Sequence, residues 1–149
     1  MENVFLASYA ADASSTLCNS MGMRPMQEKA YVHHAEQYLL IKSPPASGKS
    51  RALMYIALEK LRTGSVKKVI VAVPERSIAK SFADVNLTST GFHSDWKIDP
   101  RFDLCSPGGE PGKVKSFLDF LGSDQSILLC THSTLRYAFE KAKIDDFND

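Results

Sequence analysis

Residues 43–50 read Ser-Pro-Pro-Ala-Ser-Gly-Lys-Ser. They satisfy the phosphate-loop pattern GxxxxGK[ST] at every specified position except the first, where Ser43 replaces glycine. These residue types suit the binding of a nucleoside triphosphate. Gly48 lets the backbone come close to phosphates, and the N–H groups opening a following helix form an anion nest. Lys49 can reach the β- and γ-phosphates and is the candidate catalytic residue, while the Ser50 hydroxyl can ligate Mg²⁺ delivered with ATP. Pro45, Ala46 and Ser47 complete the candidate nucleotide-binding loop. The competing reading is a Ser/Pro turn with an exposed lysine. An apolar stretch before the loop and a helical pattern after it favour the phosphate reading.

The charge pattern agrees. The chain of 149 residues carries a formal net charge of +1, yet residues 42–80 hold nine basic residues against Glu59 and Glu75. A basic stretch inside a neutral chain points to an anionic ligand. Within it, Lys60, Arg62, Lys67 and Lys68 read as a solvated face. Other chemistry is scarce. Cys18, Cys105 and Cys130 are far apart with no CxxC pair, which disfavours a disulfide framework or zinc site and fits a reducing, cytoplasmic setting. Cys105 and Cys130 end apolar stretches and read as buried small hydrophobes. No HxxxH or Cys/His cluster occurs, so His33, His34 and His93 read as surface residues and Trp96 as a loop anchor. The longest apolar runs are far below the ~18 residues that span a bilayer.

The elements that must position the loop follow from periodicity. Tyr38–Ile41 and Val69–Val73 are apolar runs expected to be strands, the second apolar on both faces, as in a covered parallel sheet. Ile127–Cys130 is a further strand, and Phe102–Cys105 a weaker one. Helical patterns cover about 49–61, 76–84, 113–121 and 133–142, with residues 86–101 left as loop. Strands alternating with helices of this length predict an α/β fold: a three-layer α/β/α sandwich on a mostly parallel sheet, of the P-loop kind.

Three further segments, in this order around the loop, resemble the superfamily-two DEAD/DEAH-type helicases and translocases, including the type III restriction subunit group. Met23-Arg24-Pro25-Met26-Gln27 resembles that family's "LRPYQ" entry, whose glutamine reads adenine; Gln27 matches it, with an amide that both donates and accepts. Val73-Pro74-Glu75-Arg76-Ser77-Ile78-Ala79 is similar to motif Ia, "PTxxLA", which grips the nucleic-acid backbone, and makes Arg76 a phosphate contact. Glu75 departs from the usual threonine there. Thr131-His132-Ser133-Thr134-Leu135 is similar to "TxxxL" and places Thr131, His132 and Ser133 on the same backbone. Ser106-Pro107-Gly108-Gly109 occupies the position of the family's double-glycine turn. Ser133 also reads simply as a helix N-cap.

The resemblance implies an incomplete RecA-like domain. None of the apolar runs ends in the Asp-Glu pair that the family uses for Mg²⁺ and water, and the acids of Ile144–Asp149 follow no apolar run. The expected organisation is an N-terminal extension, 1–22, and a partial RecA-like ATP-binding domain, 23–149, without the Walker B/DEAH strand or a second RecA-like domain. The expected function is the ATP-binding portion of an ATP-dependent helicase or translocase, in which the parent protein is the enzyme and this piece hydrolyses ATP poorly. ATP and Mg²⁺ are the implied cofactors. The implied partners are nucleic acid, DNA ahead of RNA, and further domains or subunits, with no membrane. Two alternatives stand beside it: a non-enzymatic nucleotide- or nucleic-acid-binding module, and a small P-loop kinase. The kinase is disfavoured because only Arg136 follows Arg101, too few arginines for a lid.

Overall fold

A computed structural model describes residues 6–7, 18–107 and 110–142. The chain order is β1 (Leu6–Ala7), α1 (Pro25–Tyr31), β2 (Leu40–Ile41), α2 (Lys49–Arg62), β3 (Val69–Val73), α3 (Arg76–Ala79), α4 (Glu110–Leu121), β4 (Ile127–Thr131) and α5 (His132–Lys141). The fold is mixed α/β with parallel pairing. β1 pairs with β2, and β3 with β4 from Val69↔Ile127 to Val73↔Thr131. Among the described residues these are two separate two-stranded sheets, where the alternation had predicted one larger sheet.

The chain divides into two compact units: residues 1–65 with 85–96, and residues 66–84 with 97–149. In the first, α1 packs on α2 through Met26, Ala30, Ala52 and Ile56, with Leu39 and Ile41 against them. The apolar spacing along α2 supplies this stripe, and its C-terminus ends where Gly64 takes φ +72°, the left-handed conformation that stops helices. Segment 85–96 returns to this unit. Trp96 is fully buried, as its reading as a loop anchor required, and exchanges backbone hydrogen bonds with Val85 in both directions.

In the second unit, one face of the β3–β4 pair packs on α4 and α5. Leu128 and Cys130 join Phe117, Phe120 and Ala138 in a core, with Ile70 and Ala72 packed against it. Period-2 alternation explains this set, because Ile70 pairs with Leu128 and Ala72 with Cys130. Cys130 is fully buried, and burial pushes its thiol up to about 12; Cys105 is buried too, its thiol raised by burial and by Asp103.

Three elements differ from the sequence expectation. The strand at Tyr38–Ile41 shrinks to Leu40–Ile41. The helix at 76–84 ends at Ala79 and tightens into a 3₁₀ turn over Lys80–Phe82. The strand at Phe102–Cys105 is a 3₁₀ turn, Pro100–Phe102, followed by one bridge from Asp103 to Leu129. Asp99 caps that turn by accepting from the Arg101 N–H, a local bond that competes with strand pairing.

Lys68 corrects a fourth expectation. Instead of lying on a solvated face, its Nζ donates to the carbonyls of Phe120 (3.0 Å), Ser123 (2.7 Å) and Gln125 (3.0 Å). It also sits 4.7 Å above the Phe120 ring. These are carbonyls at and beyond the C-terminus of α4, where a cation is favoured. Replacing Lys68 with methionine is expected to destabilise the protein by about 2 kcal/mol, because charge-assisted bonds are each worth more than neutral ones. Urea denaturation followed by circular dichroism would show it as a lower midpoint.

Candidate functional site: a phosphate loop and a strand edge

The loop between β2 and α2 adopts the geometry its residues called for. Gly48 is the N-cap of α2 at φ +90° and ψ +28°, a left-handed residue followed directly by helix. That alternation turns successive N–H groups toward one point. The N–H groups of Lys49, Ser50 and Arg51 open a 14-residue helix and have no carbonyl of that helix to donate to. A Cβ added at Gly48 would fall on the Gln27 amide nitrogen, so any larger residue would displace that amide.

The loop is closed on itself. Lys49 Nζ donates to the Ser43 carbonyl at 2.7 Å and the Pro44 carbonyl at 2.8 Å. Ser43 Oγ and Ser47 Oγ share a hydrogen bond of 2.7 Å. Ser43 therefore contributes a hydroxyl clasp where the pattern has glycine. Ala46 holds φ +60°, the one left-handed position outside glycine among the described residues. Such a conformation costs an L-residue about 1–2 kcal/mol, a strain the clasp and the lysine sustain.

Gln27 lies beside this loop, almost fully buried. Its Oε1 accepts from the Arg24 N–H at 2.9 Å and its Nε2 donates to the Gly48 carbonyl at 3.2 Å. Pro25 at the first turn of α1 sets that helix start, and Gln27 closes its box. The structure thus joins Gln27 to the loop, 21 residues away in sequence. One oxygen lone pair and one amide hydrogen remain for another partner. A pocket of about 400 Å³ opens here, lined by Arg24, Gln27, Ala46, Gly48 and Arg51 among others. The sequence reading gave Arg24 and Arg51 no role; Arg51 stands in the first turn of the helix that begins at the loop, and Arg24 is the N-cap of α1.

No described cluster of three His, Cys, Asp or Glu could cage a metal. Among the described residues, a Mg²⁺ ion would fit as one held through nucleotide phosphates, with the Ser50 hydroxyl as the protein ligand.

In the second unit, β3 and β4 end side by side at Val73↔Thr131. The residues after both strands leave from one carboxyl edge, the usual ligand side of a parallel sheet. Arg76, His132 and Ser133 are exposed there. Arg76 and Ser106 also line one pocket of about 640 Å³ with Ser77 and Lys80. Thr131 has another task. Its side chain is buried and caps α5, accepting from the Thr134 N–H at 3.3 Å and bonding the Thr134 hydroxyl at 3.1 Å. The N-cap is thus Thr131, where the sequence reading put Ser133. Gly108 and Gly109 of the double-glycine turn, and the acids of 144–149, lie outside the described residues.

A polar cluster that the sequence did not reveal lies near the other end of α2. Glu59 is almost fully buried. Arg62 holds its carboxylate with two donors, Nε at 3.0 Å and Nη2 at 2.5 Å. His93 Nε2 stands 3.1 Å from Glu59 Oε2, so the surface reading of His93 holds only in part, and Tyr31 is a further hydrogen-bonding partner. The Arg62 guanidinium, against the opposing effect of burial, holds the Glu59 carboxyl down at about 2.

No protein-family model matches the chain, and no solved structure matches it. Over 146 residues, 98% of its length, the chain is 55% identical to the Bacillus subtilis (strain 168) protein named "Putative ATP-dependent helicase YeeB". The chain spans 24% of the length of that relative, so the similarity runs through nearly all of this chain and about a quarter of the relative.

Proposed function

We propose that this chain is the ATP-binding portion of an ATP-dependent nucleic-acid helicase or translocase of superfamily two, of the type III restriction kind. Residues 23–149 form part of a RecA-like domain of P-loop architecture, preceded by an extension over residues 1–22. The observation that carries the reading is the junction of Gly48, Lys49 and Gln27: a left-handed glycine opening a long helix, a lysine beside it, and a buried glutamine on the same glycine. The similarity to a helicase-named protein supports it. Lys49 and Ser50 hold the β- and γ-phosphates with Mg²⁺, the N–H groups from Gly48 onward cradle them, and Gln27 uses its remaining donor and acceptor on adenine. Bound ATP supplies the phosphoryl bond whose hydrolysis drives the parent protein. Arg76, His132, Ser133 and the N–H groups behind Thr131 contact a nucleic-acid backbone, DNA ahead of RNA.

Lys49 must release the Ser43 and Pro44 carbonyls to reach a phosphate. That closure also fits a second reading, a loop retained for structure alone. One variant separates the two. In the proposed function, Lys49→Ala weakens a fluorescent ATP analogue at least tenfold, since a charge-assisted bond is worth about 1.5–3 kcal/mol. A structural loop would instead lose thermal stability at unchanged affinity. Residues 1–149 alone are expected to turn over ATP slowly even with DNA, because no described strand ends in paired acids. A malachite-green assay with robust DNA-stimulated turnover would refute that part.

A further inference from the structure

We propose that Ser94 is a nucleophilic modification site, activated by His93, that takes the acyl group of an activated acyl donor. This site is independent of the phosphate loop.

A hydrogen-bond relay runs from the surface to a buried acid. Ser94 Oγ and His93 Nδ1 lie 3.0 Å apart, and His93 Nε2 stands 3.1 Å from Glu59 Oε2. Arg62 foremost, and Tyr31 after it, hold the Glu59 carboxylate ionised against the effect of burial. An ionised carboxylate only accepts hydrogen bonds, and a neutral imidazole has one donor and one acceptor nitrogen. His93 Nε2 therefore carries the hydrogen and donates it to Glu59. His93 Nδ1 is left with a lone pair and accepts from the Ser94 hydroxyl. Nucleophile, base and acid then stand in the order that activates a serine.

The backbone holds this order in place. On one side, Phe92 is buried edge-on against Tyr31 and Tyr55, with its ring 4.1 Å from that of His93. On the other, Trp96 is fully buried and bonded to Val85 in both directions. Asp95 adds a bond by accepting from the Thr88 N–H at 2.9 Å. His93 and Ser94 sit between these anchors, and a pair held in position reacts faster than a mobile one.

Access suits a small donor. Ser94 is half-buried and the His93 side chain is 29% exposed, while Glu59 is almost fully buried. With an aryl ester, Ser94 Oγ bonds to the carbonyl carbon and the carbon–oxygen bond to the aryl group breaks. The Ser94 proton passes to His93 Nδ1 and on to water. The aryl oxide leaves with the electron pair. Donors of this class fit because their leaving group departs without needing a proton.

The test treats the 149-residue chain with p-nitrophenyl acetate and maps acetyl groups by tandem mass spectrometry over time. Ser89, in the same segment, is the internal comparison, because its hydroxyl donates to the Asn86 carbonyl and not to an imidazole. Ser94 is expected to acetylate about 100-fold faster than Ser89, within the roughly 10²–10⁴-fold that a positioned base supplies. In urea the two rates should become equal. His93→Gln should bring Ser94 down to the Ser89 rate with an unchanged circular dichroism spectrum. Equal rates in the folded chain, acetyl on His93 in place of Ser94, or an undiminished Ser94 rate in folded His93→Gln would each overturn the assignment. If His93→Gln loses its fold, the ratio of Ser94 to Ser89 in the unaltered chain, folded against urea-unfolded, decides alone.

Discussion

Gly48→Ala is expected to remove the nucleotide binding proposed for this chain. Two independent effects act on one atom. At φ +90° an alanine costs roughly 1–2 kcal/mol in backbone strain alone. Its Cβ would also fall on the Gln27 amide, a side chain fixed at both ends by Arg24 N–H and the Gly48 carbonyl. The glutamine can move aside only by giving up its bond to the Gly48 carbonyl. The expected result is a loss of at least about 100-fold in affinity for a fluorescent ATP analogue, equivalent to some 2.7 kcal/mol. Gln27→Ala combined with Gly48→Ala relieves the clash but also removes the proposed adenine contact, so the double variant should recover folding stability and not nucleotide affinity. Binding within threefold of the unaltered chain in the single variant would show that phosphates do not engage this loop conformation.

Glu59→Ala produces the largest expected loss of stability. The carboxylate is almost fully buried and satisfied by Arg62, His93 and Tyr31. Removing one member of such a network leaves donors without an acceptor and a void between α1, α2 and segment 85–96. The expected cost is about 2–4 kcal/mol, read as a lower urea midpoint. The pH dependence has a definite sign. The folded carboxyl titrates at about 2 against an ordinary value of 4.5, so the folded state favours the ionised form. That stabilisation is complete above about pH 4.5 and is lost as pH falls from there toward 2. Its upper magnitude is about 3 kcal/mol, from 1.36 kcal/mol for each unit of pKa difference. Glu59→Gln, which keeps the shape and cannot titrate, should flatten the stability curve across that window. A wild-type slope retained in Glu59→Gln would assign the acid sensitivity to other carboxylates.

Local pattern foretold the elements whose side chains make their own environment. Val69–Val73 is a strand with the residues expected, because apolar β-branched runs have one stable arrangement. The helix at 49–62 follows from its apolar spacing and Gly64. The loop's backbone form was legible at Gly48, where residue type alone limits the geometry. What stayed hidden depends on partners distant in sequence. Lys68 looks like any surface lysine until the chain brings carbonyls 52, 55 and 57 residues away within reach. His93 and Glu59 are 34 residues apart in chain number, and no periodicity links a loop histidine to a helical glutamate. The strand expected at Phe102–Cys105 failed for the opposite reason. Asp99 and Pro100 impose a local turn that outcompetes pairing, leaving Asp103 as the one residue bridged to Leu129. Thr131 and Ser133 are equally good caps on paper, and the end of β4 decides between them.

Segment 85–96 gives the molecule an unusual assembly schedule. The first unit is discontinuous, with residues 66–84 of the second interposed between its two pieces. Phe92 stacks edge-on with Tyr55 at 4.8 Å and with Tyr31 at 5.9 Å, and Trp96 and Leu87 are fully buried. During synthesis, the helix that begins at the phosphate loop therefore waits for residue 96 before its far end is covered. A protein cut after residue 65 would retain every residue of the loop and lose the lid over Tyr55 and Glu59. The backbone passes between the units at 65–66, 84–85 and 96–97, so neither unit can be excised as one contiguous peptide. One proteolytic nick at any of these crossings leaves the two units covalently joined.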